Sequence, residues 1–159
     1  MVGSSFEHPA TRSAAKYWAA QTKRQYINVQ HDDSLGHVTA DHYSNIITPD
    51  TRVVTILHAS PVTGIGVDLE KISGAVRSIS PEALIIVDGV QYAAHGGIKI
   101  DDYDIDGYAI SPYKMYSRHG YGFAWVSERL TKMSHEQLLE GPDENWELGT
   151  RDTGSYATL

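Results

Sequence analysis

The chain has 159 residues, of which 41% are hydrophobic and 21% are charged, values typical of one ordinary globular domain and not of a disordered segment. Its formal net charge of −7 argues against a general nucleic-acid binder, which needs a basic surface to neutralise phosphates. The lack of cysteine excludes a disulfide framework, a thiolate metal site and a thiol nucleophile within these residues.

Two further features bear on the cellular compartment. No apolar run approaches the roughly 20 residues that are needed to cross a bilayer. Residues 1–10 lack the charged and apolar regions of a signal peptide. We therefore expect a cytoplasmic protein that binds neither a membrane nor nucleic acid.

Helical and strand patterns alternate along the chain. Residues 1–5 resemble the end of a strand, and 13–24 carry Ala, Tyr and Trp at helical spacing after Pro9 and Thr11. The next predicted elements are a short strand at 26–30, a short helix at 40–48, a buried strand at 52–60, a helix at 67–79, and strands at 83–89, 105–111 and 121–127. Residues 127–133 are predicted to start a further helix.

This alternation predicts the fold class. Short strands separated by helices indicate βαβ crossovers, and therefore an α/β fold with a mainly parallel sheet. We expect about six strands with helices on both faces, in which 121–127 is the antiparallel strand. We interpret residues 1–159 as one domain.

Polar side chains follow several of the predicted strands, where ligands of open α/β sheets bind. His8 follows the first strand, 58–64 the third, Asp88–Gln91 the fourth and Ser111–Lys114 the fifth. Taken alone, Asp88 could be a turn or capping residue, and Lys114 a solvated loop lysine. Together they indicate pyridoxal phosphate chemistry. A lysine amine can form a Schiff base with this cofactor, while a carboxylate keeps its pyridine nitrogen protonated.

Four motifs carry a resemblance to a known family. They read as HASPVTG at 58–64, a D-x-x-Q strand end at 88–91, S-x-x-K at 111–114 and G-x-G at 120–122. FEHPAT at 6–11 and ELGTRDTGSYATL at 147–159 extend the likeness over nearly the whole chain. The chain resembles the large domain of the class V aminotransferases, the group that includes cysteine desulfurases, kynureninase and isopenicillin epimerase.

The resemblance implies a truncated large domain of the pyridoxal-phosphate-dependent transferase fold (fold type I) and an enzyme that acts on an amino acid. It implies that Lys114 forms the Schiff base, that Asp88 pairs with the pyridinium nitrogen and that His8 stacks on the cofactor ring. It further implies that Gln91 forms a hydrogen bond near the phenolic oxygen and that Ser111 forms one with the phosphate. Thr150 would reach the phosphate bound by a neighbouring subunit, which implies a homodimer.

The sequence also departs from the family pattern. Pro61 stands where the family commonly has Asn, and Tyr113 precedes the lysine where many desulfurases have His. The family's additional strand and phosphate-binding helix have no counterpart here. The same holds for the small domain that carries the substrate-binding arginine and the desulfurase cysteine. We therefore expect this chain alone to be an incomplete enzyme that self-associates, retains cofactor weakly and is not itself a desulfurase.

Two alternative functions stay open on the sequence. One is a truncated cofactor-binding or vestigial module of the same fold without turnover. The other is a metal-dependent hydrolase built on the cluster of potential ligands at 31–42, which comprises His31, Asp32, Asp33, His37, Asp41 and His42. A solvated turn between a strand and a helix explains that cluster more simply, and we predict no metal site.

Overall fold

The computed structural model describes residues 1–32, 34–132 and 157. Every predicted element within this part of the chain is present. The strands are β1 (Val2–Ser4), β2 (Ile27–Val29), β3 (Val53–Leu57), β4 (Leu84–Asp88), β5 (Gly107–Ile110) and β6 (Phe123–Val126), and the helices are α1 (Pro9–Gln21), α2 (Ala40–Ser44) and α3 (Leu69–Ile79). Short 3-10 turns span Ile100–Asp102 and Pro112–Met115. Residues 128–132 are helical.

Helix α1 differs most from its predicted bounds, because it begins four residues earlier. Pro9 occupies its first turn, where a missing N–H costs nothing. The His8 side chain caps the helix by accepting a hydrogen bond from the Ala10 N–H at 3.2 Å. The helix ends where the Thr22 hydroxyl donates to the Trp18 carbonyl at 2.7 Å and Lys23 takes a positive φ of 55°.

The six strands form one sheet in the order β2-β1-β3-β4-β5-β6. Neighbouring strands are parallel except β5 and β6, which run antiparallel as the sequence predicts. The order reverses at β1, because the chain moves to β2 on one side and then to β3 on the other. The crevice between β1 and β3 is therefore the topological switch point, where ligands bind in sheets of this type.

The connections place helices on both faces of the sheet. Crossovers between parallel strands are almost always right-handed. The step from β1 to β2 runs opposite to the steps from β2 to β3 and from β3 to β4, so α1 lies on one face and α2 and α3 on the other. Helices α2 and α3 pack together accordingly. None of the helices in residues 1–32 and 34–132 is long and apolar enough to span a membrane.

The core lies mainly on the face covered by α2 and α3. Val54, Ile56, Ile85 and Val87 point to this face in register, and all four side chains are fully buried. They pack with Tyr43 of α2 and with residues of α3. Burial of both faces of β3 explains its β-branched and aliphatic sequence, and this centre of the sheet carries the strand ends that form the candidate site.

A buried ion pair fixes the start of β5, which lies between β4 and the edge strand β6. Asp106 is 0% exposed, and its Oδ2 accepts hydrogen bonds from Arg77 at 2.7 Å and from the Ile85 N–H at 2.9 Å. Its Oδ1 accepts a third from the Ser127 hydroxyl at 3.0 Å. The network joins α3, β4, β5 and the residue after β6, and so sets the register in which β5 presents Ser111 and Lys114.

Candidate active site

A cavity of about 370 Å³ lies at the carboxyl ends of β3, β4 and β5, beside the start of α1. This volume is within the usual range for small-ligand pockets. Five of the six predicted site residues line it, namely His8, Asp88, Gln91, Ser111 and Lys114. Thr150, the sixth, lies outside the described residues. The structure therefore brings together side chains that are up to 106 residues apart in the chain, from His8 to Lys114.

Lys114 is carried by the 3-10 turn that follows β5. Pro112 begins this turn, and the Lys114 N–H donates to the Ser111 carbonyl at 3.0 Å. Tyr116 then takes a left-handed φ of 67° and ends it. The turn brings Lys114 back over the end of β4, where its Nζ donates to Gln91 Oε1 at 2.8 Å. The amine is thus held inside the cavity by a partly buried hydrogen bond.

Asp88 is the last residue of β4 and points toward α1. Its Oδ2 accepts a hydrogen bond from the Thr11 hydroxyl at 3.4 Å, and its Oδ1 accepts one from the Val90 N–H at 3.1 Å. The backbone continues the sheet beyond the strand, since the Gly89 N–H donates to the Ala109 carbonyl at 2.9 Å. The carboxylate therefore has a fixed orientation, with α1 above it and the turn toward Gln91 beside it.

His8 and Ser111 contribute from the two sides of the cavity. The ring of His8 is oriented by its capping bond to the Ala10 N–H, and the residue is exposed at the mouth of the cavity. Ser111 is half-buried, and its hydroxyl makes no capping bond with the turn that follows it. Both residues line the cavity. Sequence reasoning assigned His8 a stacking role and missed its role as a helix cap.

Gly89 is required because an aromatic ring lies against the backbone at the turn. A Cβ added to it would lie 2.1 Å from a ring carbon of Tyr108. Tyr108 is 3% exposed, and its hydroxyl is hydrogen-bonded to His58 Nδ1 at 2.7 Å. His58 in turn stacks on Tyr92 with ring centroids 3.6 Å apart. These three aromatic residues, His58, Tyr92 and Tyr108, form a packed support behind the Asp88–Gln91 turn.

Burial governs the protonation of this support. It lowers the pKa of His58 to about 4, so the ring is neutral at neutral pH. Burial also raises the pKa of Tyr108. From the sequence, His58 is only the first residue of a motif. The partners of its ring, Tyr92 and Tyr108, lie 34 and 50 residues further along the chain. Such contacts across the sheet leave no local signal in the sequence.

Two aromatic rings stack at the rim of the cavity. Tyr113, which lines the cavity, packs on His119 with ring centroids 4.3 Å apart and planes 20° apart. The Lys114 Nζ lies 5.9 Å from the centre of the Tyr113 ring. Tyr113, which departs from the common desulfurase pattern, therefore places an aromatic ring beside Lys114, and the His119 ring stacks on this ring.

The described residues of the cluster at 31–42 make local hydrogen bonds. Within the part of the chain that the structure describes, no group of three or more His, Asp or Glu side chains could hold a metal ion. Instead, His42 Nδ1 accepts from the Thr39 N–H at 3.1 Å and completes the cap of α2, and His37 Nδ1 contacts the Leu35 carbonyl at 2.8 Å. Asp33 lies outside the described residues. These local roles agree with the simpler interpretation of this stretch.

Comparisons with known proteins point to one family. The family model described as aminotransferase class-V matches residues 1–148. A probable cysteine desulfurase of Mycoplasma pneumoniae is 32% identical over 137 residues, which is 85% of this chain and 33% of that protein. The chain thus spans about a third of the length of this curated relative.

Solved structures give the same result. The cysteine desulfurase CsdA of Escherichia coli superposes with a TM-score of 0.83 at 26% identity, over 97% of this chain and 42% of that chain. A mutant of C-DES with glycine covalently linked to its PLP cofactor has a TM-score of 0.72 at 22% identity, over 80% of this chain and 34% of that one, and shows the fold alone. With its fold and 148 of its 159 residues matched, this chain belongs to the aminotransferase class-V family.

Proposed function

We propose that this chain forms the cofactor-binding part of a pyridoxal-phosphate-dependent enzyme that acts on an amino acid, as cysteine desulfurases do. The observation that carries the proposal is the pairing of Lys114 with Gln91 at 2.8 Å in a cavity that also presents Asp88. A lysine amine and a carboxylate on neighbouring strand ends are the two groups that this cofactor requires. Membership of the class-V family supports the same assignment.

The residues present fit the cofactor. A cavity of about 370 Å³ with an apolar floor of Leu57 and Ala109 suits a flat aromatic ring. When bound, pyridoxal phosphate supplies an electron sink that stabilises negative charge on the α-carbon of an amino acid. Lys114 Nζ is the group that would hold the cofactor covalently, and Gln91 directs that amine into the cavity.

The other side chains would bind and orient. Asp88 would accept a hydrogen bond from the protonated ring nitrogen, and the Thr11 hydroxyl, 3.4 Å from Asp88 Oδ2, keeps the carboxylate turned toward the ring. His8 would cover one face of the ring from the start of α1. The Ser111 hydroxyl would donate to a phosphate oxygen. The Tyr113 ring beside Lys114 would limit the access of water to the amine.

The active form that we propose is a homodimer in which residues 1–159 belong to one cofactor-binding domain. Tyr17 and Trp18 on α1 are each 58% exposed, which is unusual for large aromatic side chains and suits a surface that a partner covers. Strand β6 is an edge of the sheet within the described residues. Thr150 would serve the cofactor of the partner subunit. Sedimentation velocity tests this assembly, and a monomer at micromolar concentration would contradict it.

An absorbance titration with pyridoxal phosphate tests the cofactor assignment. The wild-type protein should develop a near-violet band that borohydride removes, and the Lys114→Ala variant should not develop it. Lys99→Ala is the matched control, since Lys99 is an exposed lysine outside the cavity, and it should behave like the wild type. A band of equal strength in the Lys114→Ala protein would refute the assignment.

A further inference from the structure

A buried carboxyl group lies behind the cavity, at the point where β1 and β3 diverge. These two strands are in register only at Val2 and Val54, and Glu7 lies in the turn that leaves β1. The Glu7 side chain is 3% exposed. Its Oε1 lies 3.4 Å from both the Ser4 N–H nitrogen and the Ser4 hydroxyl, which donate to it.

The second oxygen of this carboxyl group is unsatisfied. Glu7 Oε2 is buried and has no hydrogen-bond partner among the described residues. The Leu57 backbone at the end of β3 lies near enough to favour the charged form, but it makes no hydrogen bond of normal geometry with Oε2. A negative charge on a desolvated oxygen without a donor is strongly unfavourable. The neutral acid suits this place better than the carboxylate does.

The groups that face Glu7 reinforce this preference. Asp88 of β4 acts on it with a second negative charge. The other titratable groups near it are the phenols of Tyr26, before β2, and Tyr43, on α2, which carry no positive charge. On α1, Arg12 faces Tyr26. Two carboxyl groups that repel each other rarely ionise together, and their environments decide which of them keeps the proton.

We propose that Glu7 is a positioning residue that keeps a proton behind the cavity, so that Asp88 remains the negative charge on this side of the site and the turn leading to His8 stays packed. The purpose of this arrangement rests on the proposed function, because Asp88 is the carboxylate offered to the cofactor. The protonation itself is a property of the protein without any ligand.

The pKa of Glu7 agrees with the geometry. Burial is the largest cause of its shift, and the Asp88 charge adds to it, while the Ser4 backbone N–H acts in the opposite direction. Together they raise the pKa of Glu7 from 4.5 to about 7. The group therefore keeps its proton up to about neutral pH and loses it above that pH. The loss places an unpaired charge under the turn that carries His8.

A carbon-13 NMR titration of the ligand-free protein, labelled at glutamate side-chain carboxyls, tests the proposal. The signal absent from the Glu7→Gln spectrum identifies Glu7, and Glu82→Gln, at an exposed site, is the matched control for the substitution. We expect a midpoint near pH 7 in the wild type. Asp88→Asn should lower this midpoint, because it removes a neighbouring negative charge. A midpoint near 4.5 in the wild type, or one that Asp88→Asn leaves unchanged, would overturn the proposal.

Stability profiles give a second readout. A carboxyl whose pKa is raised on folding stabilises the folded state fully below its unfolded pKa, and that contribution is lost as pH rises from about 4.5 to about 7. Glu7→Gln lacks this titration. As pH rises across this range, the unfolding equilibrium constant of the wild type should therefore increase by on the order of a hundred-fold relative to that of Glu7→Gln. Glu82→Gln should follow the wild type, and parallel profiles for Glu7→Gln and the wild type would contradict the proposal.

These measurements separate two kinds of failure. Both are made without pyridoxal phosphate, so a protein that does not bind the cofactor can still show the raised titration of Glu7. Conversely, the absorbance titration with Lys114→Ala does not depend on the state of Glu7. Each experiment therefore tests its own proposal, whatever the result of the other.

Discussion

Replacing Gly89 with alanine should disturb the candidate site, because the new side chain would clash with the Tyr108 ring behind the Asp88–Gln91 turn. The new Cβ would lie 2.1 and 2.2 Å from two ring carbons of Tyr108, well inside van der Waals contact. The ring has little freedom to move away, because it is 3% exposed and its hydroxyl is bonded to His58 at 2.7 Å. The ring, the hydrogen bond or the Asp88–Gln91 turn must therefore be displaced.

The size of the effect follows from these contacts. Overpacking of a tight interior costs about 1–3 kcal/mol, and loss of the buried hydrogen bond adds about 1 kcal/mol. The free energy of unfolding should fall by about 2–4 kcal/mol. For a domain of this size, Tm should fall by roughly 5–15 °C. Urea denaturation followed by circular dichroism measures the first quantity, and calorimetry measures the second.

Two controls show whether the clash is the cause. Gly74, inside α3, has no atom within 4 Å of an added Cβ, so Gly74→Ala should stabilise the protein by about 0.5–1 kcal/mol through helix propensity. In a Tyr108→Leu background, the cost of Gly89→Ala should shrink below about 1 kcal/mol, since the ring is gone. An unchanged stability of the Gly89→Ala single variant, or a cost that persists without the Tyr108 ring, would refute this reasoning.

Three further predictions concern the framework and the site. Arg77→Met should lower the free energy of unfolding by about 1.5–3 kcal/mol, because the buried Asp106 carboxylate would lose its 2.7 Å contact with Arg77 and keep the longer 3.4 Å contact with Arg129. The exposed Arg52→Met variant should change it little in the same urea titration. Because the pKa of His58 is lowered, its contribution to the stability of the folded state is lost as pH falls from about 6.5 to about 4. In denaturation measurements over this pH range, His58→Gln should therefore lose less stability on acidification than the wild type. Asp88→Asn should keep covalent cofactor labelling but depress any turnover of an amino acid by several orders of magnitude, and a measurable wild-type rate that the variant leaves unchanged would remove Asp88 from the chemistry.

The sheet was predictable because its signals are local. The β-branched and aliphatic run at 53–57 and the aliphatic run at 84–87 fit strands buried at the centre of a parallel sheet, whatever lies around them. The convergence of Asp88 and Lys114 then follows from topology alone, since parallel strands end at one edge. Both residues line the cavity for this reason.

Some features of the site could not be predicted from the sequence, because they depend on contacts between residues that are distant in the chain. The exposure of Glu7 is decided by the gap between β1 and β3, and nothing in FEHPAT distinguishes a buried glutamate from a surface one. The support formed by His58, Tyr92 and Tyr108 is likewise a product of packing across the sheet. The capping role of His8 is local, but histidine is an uncommon cap, so its position before Pro9 was a weak signal.

The most direct test of the account is to map where pyridoxal phosphate attaches. The protein is incubated with the cofactor, reduced with borohydride, digested with trypsin and sequenced by mass spectrometry. Of the six lysines in the chain, Lys114 should carry the modification at low cofactor concentration, because it alone projects into the cavity that Asp88 lines. Labelling spread evenly over the exposed lysines, or no labelling of Lys114, would contradict the account.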